Sequence, residues 1–447
     1  MKIKVQTYKT FQKDKESYVE ICIDILEGGK DITSTDATIL MTQLSYFIGR
    51  VPETAIGFLY LSAIVYSIDR TFERKKYSLD GWSREFDVEF KIPAHEYFEN
   101  NKALLESILS YLTGDYWACK FSSANSISTP IYSDSPYYNG ISQVNLFSGG
   151  LDSLIGAIDF MKKYPEGKLF LASHYDSAMG GPKMDQLILR SEFEKKFKDQ
   201  YITLPKNPAV LIEPSQSNDT TCRSRSLMFM AIALTVASYK NVDIIVPENG
   251  SVSLNYPLSI SRRASCSTRT THPIILNKLR ELFSNLEIMV NICNPYEFLT
   301  KGEMVDLCED RTFLLDIVKL SNSCGKRGRK QYFYDDHSAT HCGRCMPCMY
   351  RKASLINFSD DTKYGITMNT LFQKRSKGLS DDFFAMMHFL KRNISEEEIK
   401  KELRIAGMGR LERFDDYVSL VHRTREELRA LVSAEGSQDV KQFIEVI

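Results

Sequence analysis

The chain has no excess of either charge: 57 lysines and arginines balance 57 aspartates and glutamates. That balance argues against proteins that coat nucleic acid or lie on anionic membranes, since both work through a field of one sign. No run of about 18 apolar residues, the length a membrane-spanning helix needs, is present. The start, Met1-Lys2-Ile3-Lys4-Val5, has no apolar segment of the secretory-signal kind. A soluble, cytoplasmic protein is expected, with no membrane partner and no nucleic-acid partner indicated. Two common phosphate-binding strings are also missing. There is no G-x-x-x-x-G-K-[ST] and no G-x-G-x-x-G, which excludes the usual phosphate loop and the dinucleotide fingerprint.

What is present is a different glycine loop. Val144-Asn145-Leu146-Phe147 reads as a short strand, Ser148-Gly149-Gly150-Leu151-Asp152-Ser153 as a turn, and Ile155, Ile158 and Met161 as one face of a helix. Strand, tight turn and helix together form an anion-binding geometry, because the first backbone N–H groups of a helix lack partners and carry the positive end of its dipole. Gly149 and Gly150 remove the side chains that would keep a phosphate from the backbone, and Ser148 and Ser153 add hydroxyl donors. Asp152 would repel a phosphate unless it caps a backbone N–H or holds a bridging metal ion. The plain alternative is an ordinary strand-to-helix turn, in which Gly and Ser are frequent.

The ten cysteines are unevenly spread. Cys342, Cys345 and Cys348 place three thiols within seven residues, and Cys324 precedes them. In a reducing compartment such a cluster points to metal binding, and four thiolates suit a closed tetrahedral zinc site. An iron–sulfur cluster also takes four thiolates, so spacing alone leaves it open. His337 and His341 flank the cluster as substitute ligands. The other six cysteines read as core residues.

A length of 447 residues allows two or three domains. Residues 1–140 read as a separate α+β domain, with helices over Ala37–Ile48, Ala55–Ile68 and Asn101–Leu112, a strand at Phe86–Ile92, and a linker over Ser122–Gly140. From 141 to 358 strands and helices alternate: strands at Leu169–His174, Ala209–Glu213 and Val242–Pro247, helices over Met184–Phe197 and Ser226–Tyr239. Nearly all-apolar strands alternating with helices predict an α/β fold with a parallel sheet covered on both faces, whose ligands bind at the carboxyl ends of its strands. Residues 359–447 are purely helical in pattern, with Phe383, Phe384, Met387 and Leu390, then Tyr417, Leu420 and Val421, at helix spacing. They read as a packing domain or a partner surface.

The S-G-G-L-D-S string resembles the pyrophosphate loop of the N-type ATP pyrophosphatases. Together with the cysteine cluster it resembles the QueC family, the 7-cyano-7-deazaguanine synthases. Arg225-Ser226-Leu227-Met228-Phe229 is similar to that family's R-N-x-x-F segment, Asn249 and Tyr256-Pro257 to its G-x-N…Y-P loop, Thr300-Lys301-Gly302-Glu303 to its T-K-x-E turn, and Arg351 to its C-x-x-C-x-x-R ending. Val252 replaces an acidic residue of the family, Leu258-Ser259 replace a D-C pair, and Pro247 replaces a glycine. With its outer domains the chain is most similar to the QueC-like components of bacterial anti-phage operons.

The resemblance implies a sheet of the adenine nucleotide alpha hydrolase (PP-loop ATPase) type, with ATP, Mg2+ and Zn2+ as cofactors. It implies an ATP-dependent carbon–nitrogen ligase that adenylates a small carboxylate, releases pyrophosphate and passes the acyl group to an amine. In QueC a second ATP then dehydrates the amide to a nitrile. Ser148, Gly149, Gly150, Leu151, Asp152 and Ser153 would bind ATP. Asp152, Lys301 and Arg225 would be catalytic, and Cys324, Cys342, Cys345 and Cys348 would hold the metal. His272 is a further pocket candidate or a helix start. Proteins of the same operon are the expected partners. The alternatives are a tRNA-modifying enzyme of the same superfamily, weighed against by the absence of a persulfide-type cysteine in the loop, and a catalytically silent ATP-binding scaffold.

Overall fold

The computed structural model describes residues 1–13, 16–27, 30–40, 44–78, 80–124, 136–175, 180–204, 210–212, 223–259, 269–327, 333, 335–376 and 378–445. The first sheet is built from β1 (Lys2–Lys13), β2 (Glu16–Glu27), β3 (Lys30–Leu40), β4 (Glu85–Ile92) and β5 (Tyr116–Ser123). The alternation of β4 buries Phe86, Val88, Phe90 and Ile92 on one face, as its sequence pattern predicts. β1, β2 and β3 form an antiparallel meander, and β4 and β5 add in parallel beyond β1. The expected Ala37–Ile48 helix is instead the end of β3 and a single turn over Ser45–Ile48. Threonine and isoleucine dominate 32–39, and β2 offers a full ladder of partners, so the β-prone composition prevails over a weak helical period.

The second sheet contains β6 (Ile141–Leu146), β7 (Lys168–Ala172), β8 (Tyr201–Thr203), β10 (Ile244–Ile245) and β11 (Ile292–Cys293). Every neighbouring pair is parallel, in the order β11-β10-β6-β7-β8. The chain winds outward from β6 through β7 to β8, returns, and winds the other way through β10 to β11. This is a Rossmann-like α/β sheet, and its strand order reverses between β6 and β10.

The strand read at Ala209–Glu213 does not join this sheet. It is β9 (Val210–Ile212), antiparallel to Ala37–Ile39 on the edge of the first sheet. A run of apolar residues specifies a strand but not which open edge it will pair with.

The Glu53–Thr71 helix is buried from Thr54 to Arg70, because it lies between the first sheet and the Arg225–Lys240 helix of the second. Residues of both sheets, including Val88, Phe90, Val144 and Phe170, belong to one apolar core. Beyond Phe358 the described elements are helices, the longest Phe414–Glu435. Their core of Phe383, Met386, Met387, Leu390, Tyr417 and Leu420 continues into Leu254 and Met349 of the α/β region. No helix among the described residues is long and apolar enough to cross a membrane.

Candidate functional site

The glycine loop leaves the carboxyl end of β6, at the point where the strand order reverses. Gly149 has φ +87°, and a Cβ there would lie 3.2 Å from Gln186 N and 3.3 Å from Asp185 Cβ, so conformation and space both demand glycine. Ser148 Oγ accepts from Gly150 N at 3.3 Å, and Ser153 Oγ donates to Gly150 O at 3.0 Å. The Leu151–Lys163 helix follows, buried along Leu151, Leu154, Ile155 and Ile158. At Gly156 a Cβ would lie 2.4 Å from Pro247 Cβ. That close approach brings the segment after β10 onto the helix that follows the loop.

Asp152, in the first turn of this helix, is 6 % exposed. Lys301 Nζ donates to its Oδ1 at 2.6 Å and Asn249 Nδ2 to its Oδ2 at 2.8 Å. Asn249 is itself oriented, because its Oδ1 accepts from Val252 N at 3.0 Å as the cap of the Gly250–Leu254 helix. Lys301 follows Thr300, which forms a reciprocal capping box with Glu303. Glu248 completes the group. Burial, followed by the adjacent Asp152 carboxylate, pushes the Glu248 carboxyl well above the usual carboxylate range. For Asp152 burial opposes ionisation, but Lys301, Glu248 and Asn249 together hold it below that range.

Two carboxyl groups therefore face one ammonium group. With Glu248 driven toward its neutral form, the ionised Asp152 and Lys301 balance, and Glu248 is a second carboxyl held in reserve beside them. Sequence reasoning did not single out Glu248. The signal was its position, directly before Asn249 at the carboxyl end of the strand beside β6.

Arg225 is not brought to this group. It opens the Arg225–Lys240 helix, its guanidinium lies 5.3 Å from the Phe229 ring centroid, and its Nε is buried with no hydrogen-bond partner among the described residues. His272 takes the helix-start role: its Nδ1 accepts from Ile274 N at 3.2 Å, capping the Pro273–Asn285 helix. The ring also lies 3.3 Å from Tyr111 Oη, and burial pushes its pKa down to about 3, so it is neutral. His272 and Tyr111 line a small cavity with Tyr256, Pro257, Arg269 and Glu402.

The four predicted cysteines converge. Cys324, Cys342, Cys345 and Cys348 are buried, and their sulfur atoms all lie within 4.8 Å of one another. Cys342 Sγ is 3.9 Å and Cys345 Sγ 3.4 Å from Cys348 Sγ. Thiolates around a tetrahedral zinc, each at about 2.3 Å, sit about 3.8 Å apart, so the donor set fits one metal ion. Neither histidine joins them. His337 is exposed, and His341 Nε2 accepts from Ser323 N at 3.4 Å while Nδ1 meets Thr340 Oγ1 at 3.0 Å. Arg351, fully buried, donates to Ser321 Oγ at 2.8 Å and to Val318 O at 2.9 Å, fixing the approach to Cys324.

This centre is tied to the glycine loop. Asn322 N donates to Gly149 O at 2.9 Å, Leu151 N donates to Ser323 Oγ at 3.2 Å, and Asn322 Oδ1 accepts from Cys324 N at 3.0 Å. The segment that supplies the first thiol therefore braces the glycine turn.

Fold and site define an α/β protein with a Rossmann-like parallel sheet, a carboxylate–lysine cluster at its switch point and, beside it, a cluster of four cysteines that could hold a metal ion. Comparison with protein-family models, with curated proteins and with solved structures finds no match to this chain.

Proposed function

We propose that the chain is a QueC-like ATP pyrophosphatase with a sheet of the PP-loop type, an ATP-dependent ligase that adenylates a small carboxylate and transfers the acyl group to an amine. The observation that carries this reading is the S-G-G-L-D-S turn at the switch point, with Asp152 held by Lys301 at 2.6 Å and faced by Glu248. A reaction whose charge develops on phosphate oxygens needs donors and cations in place more than it needs a protein nucleophile.

In this mechanism the turn from Ser148 to Ser153 binds the β- and γ-phosphates through backbone N–H groups and hydroxyls. A carboxylate oxygen of the substrate attacks the α-phosphorus, the bond from that phosphorus to the bridging oxygen breaks, and pyrophosphate leaves onto the turn. An amine then attacks the acyl carbon, AMP departs, and an amide results once the nitrogen loses a proton. Asp152 and Glu248 would hold magnesium, which when bound neutralises charge on the phosphates. Lys301 orients Asp152 and adds a positive charge beside the leaving group. Zinc on the four cysteines is structural in this reading, since no coordination position is left for chemistry. Val252 and Leu258-Ser259 change the loop that in the family faces the acyl substrate, which supports an acyl substrate other than the usual deazaguanine. Partner proteins of an anti-phage operon supply the amine.

The test is exchange of labelled pyrophosphate into ATP in the presence of 7-carboxy-7-deazaguanine and a panel of other carboxylates. Acid-dependent exchange that Asp152→Ala abolishes is expected. No exchange with any acid, together with undiminished phage protection by Asp152→Ala in cells, would sink the enzyme reading in favour of an ATP-binding scaffold. Exchange that depends on tRNA instead of a small acid would indicate a tRNA-modifying enzyme.

A further inference from the structure

The Phe414–Glu435 helix lies outside the parallel sheet, yet one of its faces touches both loops that carry the partners of Asp152. Leu420, Thr424 and Glu427 follow one another at intervals of four and three and so line a single face. Leu420 presses on the loop after β10: a Cβ on Gly250 would lie 2.6 Å from Leu420 Cδ2. Ser251 Oγ is 2.6 Å from Thr424 Oγ1, and both residues are buried. The Thr424 hydroxyl is committed as a donor to Leu420 O at 2.7 Å, so Ser251 donates in this pair. Asn249, two residues before Ser251, is thereby anchored from the C-terminal region.

Glu427 does the same for Lys301. Its two carboxylate oxygens accept from Gly302 N at 3.1 and 3.3 Å, and Oε1 also accepts from the Thr300 hydroxyl. The fit is tight enough that a Cβ on Gly302 would fall 2.4 Å from Glu427 Oε1. Thr300 and Gly302 are the residues on either side of Lys301. Arg423 reinforces the hold through an ion pair with Glu303 and a 2.9 Å bond to Phe298 O.

We infer that Glu427 is a positioning residue: by holding the backbone on both sides of Lys301 it fixes the lysine ammonium against Asp152, so the C-terminal helical region completes the site on the α/β sheet. A long side chain delivers its charge to one place only if its root is fixed, and a displacement of about 1 Å at a reacting centre is costly. A carboxylate is required because two donors, an amide N–H and a hydroxyl, converge on it. A glutamine would turn its NH2 group toward one of them.

Trace acylation of the full-length chain with acetic anhydride, read lysine by lysine by peptide mass spectrometry, tests this directly. Lys301, 4 % exposed and ion-paired, is protected in the wild type. Glu427→Gln is expected to raise its labelling rate about tenfold, the loss of one hydrogen bond to a charged group. Leu431→Ala, in the helical core of the same helix, controls for lost stability and is expected to leave Lys301 protected. Unchanged labelling in Glu427→Gln, or an equal rise in Leu431→Ala, overturns the inference.

Calorimetric binding of Mg-ATP provides the second readout and rests on the proposed ATP-binding function. Glu427→Gln is expected to bind about tenfold more weakly than the wild type by the same loss, and equal affinity overturns the claim that the helix completes the site. If the wild type binds no Mg-ATP, it is the proposed function that fails, while the labelling result still decides the role of Glu427.

Discussion

Among the described residues, the buried charge clusters of the N-terminal region and of the switch point are built on opposite plans. In the N-terminal region Asp69 and Asp115 face Arg74 and Arg84, and every carboxylate oxygen is met. Arg84 reaches Asp69 Oδ1 at 2.5 Å and Asp115 Oδ2 at 2.7 Å, Arg74 reaches Asp115 Oδ1 at 2.6 Å, and Ser224 covers Asp69 Oδ2 at 2.8 Å. Each aspartate oxygen has a donor, and Arg223, buried beside them, adds a third guanidinium, so the carboxylates are fully saturated, as a structural network requires. At the switch point Asp152 and Glu248 share one lysine, and the second carboxyl is driven toward its protonated form. Burial and charge alone therefore do not mark a functional site. A buried carboxyl forced toward its neutral form at the carboxyl ends of parallel strands singles this cluster out as the candidate site.

Breaking the N-terminal cluster should have the largest effect on stability. Arg84→Leu leaves Asp69 and Asp115 buried with half their cationic partners gone, and should lower the unfolding free energy in urea by about 3–5 kcal/mol. At the four-cysteine cluster, zinc uptake of about one equivalent is expected in the wild type, and Cys345→Ser should reduce it to below about one half and lower the melting temperature, because metal binding and folding are coupled. The same variant should speed amide exchange at Gly149–Leu151, since Asn322 and Ser323 brace that turn. If zinc is lost while exchange stays at the wild-type rate, the two features are independent.

The Asp152–Glu248–Lys301 cluster has a pH signature with a defined sign. Glu248 binds its proton more tightly in the folded protein than in the unfolded chain. Metal-free stability should therefore fall as pH rises from the ordinary glutamate range through the raised folded pKa, while below that range the penalty is absent. Glu248→Gln should flatten this decline in urea titrations run between about pH 4 and 8, and millimolar Mg2+ should reduce it in the wild type only. A decline of equal slope in both proteins would remove Glu248 as its cause. The smallest effect is expected where charges are solvated. Lys195→Ala breaks the exposed pair with Glu192 and should shift stability by less than about 0.5 kcal/mol.

The site was partly legible before the fold. Asp152 and the four cysteines declared themselves by local spacing, because a phosphate turn and a metal cluster each need several groups within a few residues. Lys301 and Asn249 were recognisable only through short resemblances, and Glu248 not at all, since a single glutamate after an apolar run has many ordinary explanations. Arg225 was drawn in by its motif, and the structure leaves it beside Phe229 instead. The Ala209–Glu213 strand was legible as a strand but assigned to the wrong sheet. Edge pairing is chosen by what else the chain leaves open, not by periodicity.

By itself the amino-acid sequence determined the strand–turn–helix with its glycines, the thiol cluster, the largely apolar strands of a parallel sheet and the helical character of the C-terminal region. Each of these rests on interactions between residues close in the chain. Only the tertiary structure decided that β6 and β10 meet at the reversal, that Glu248 faces Asp152, that the cysteine segment braces the glycine loop, and that Glu427 reaches the backbone around Lys301. Those contacts span tens to hundreds of residues, and no local period or propensity encodes which distant groups share a buried space.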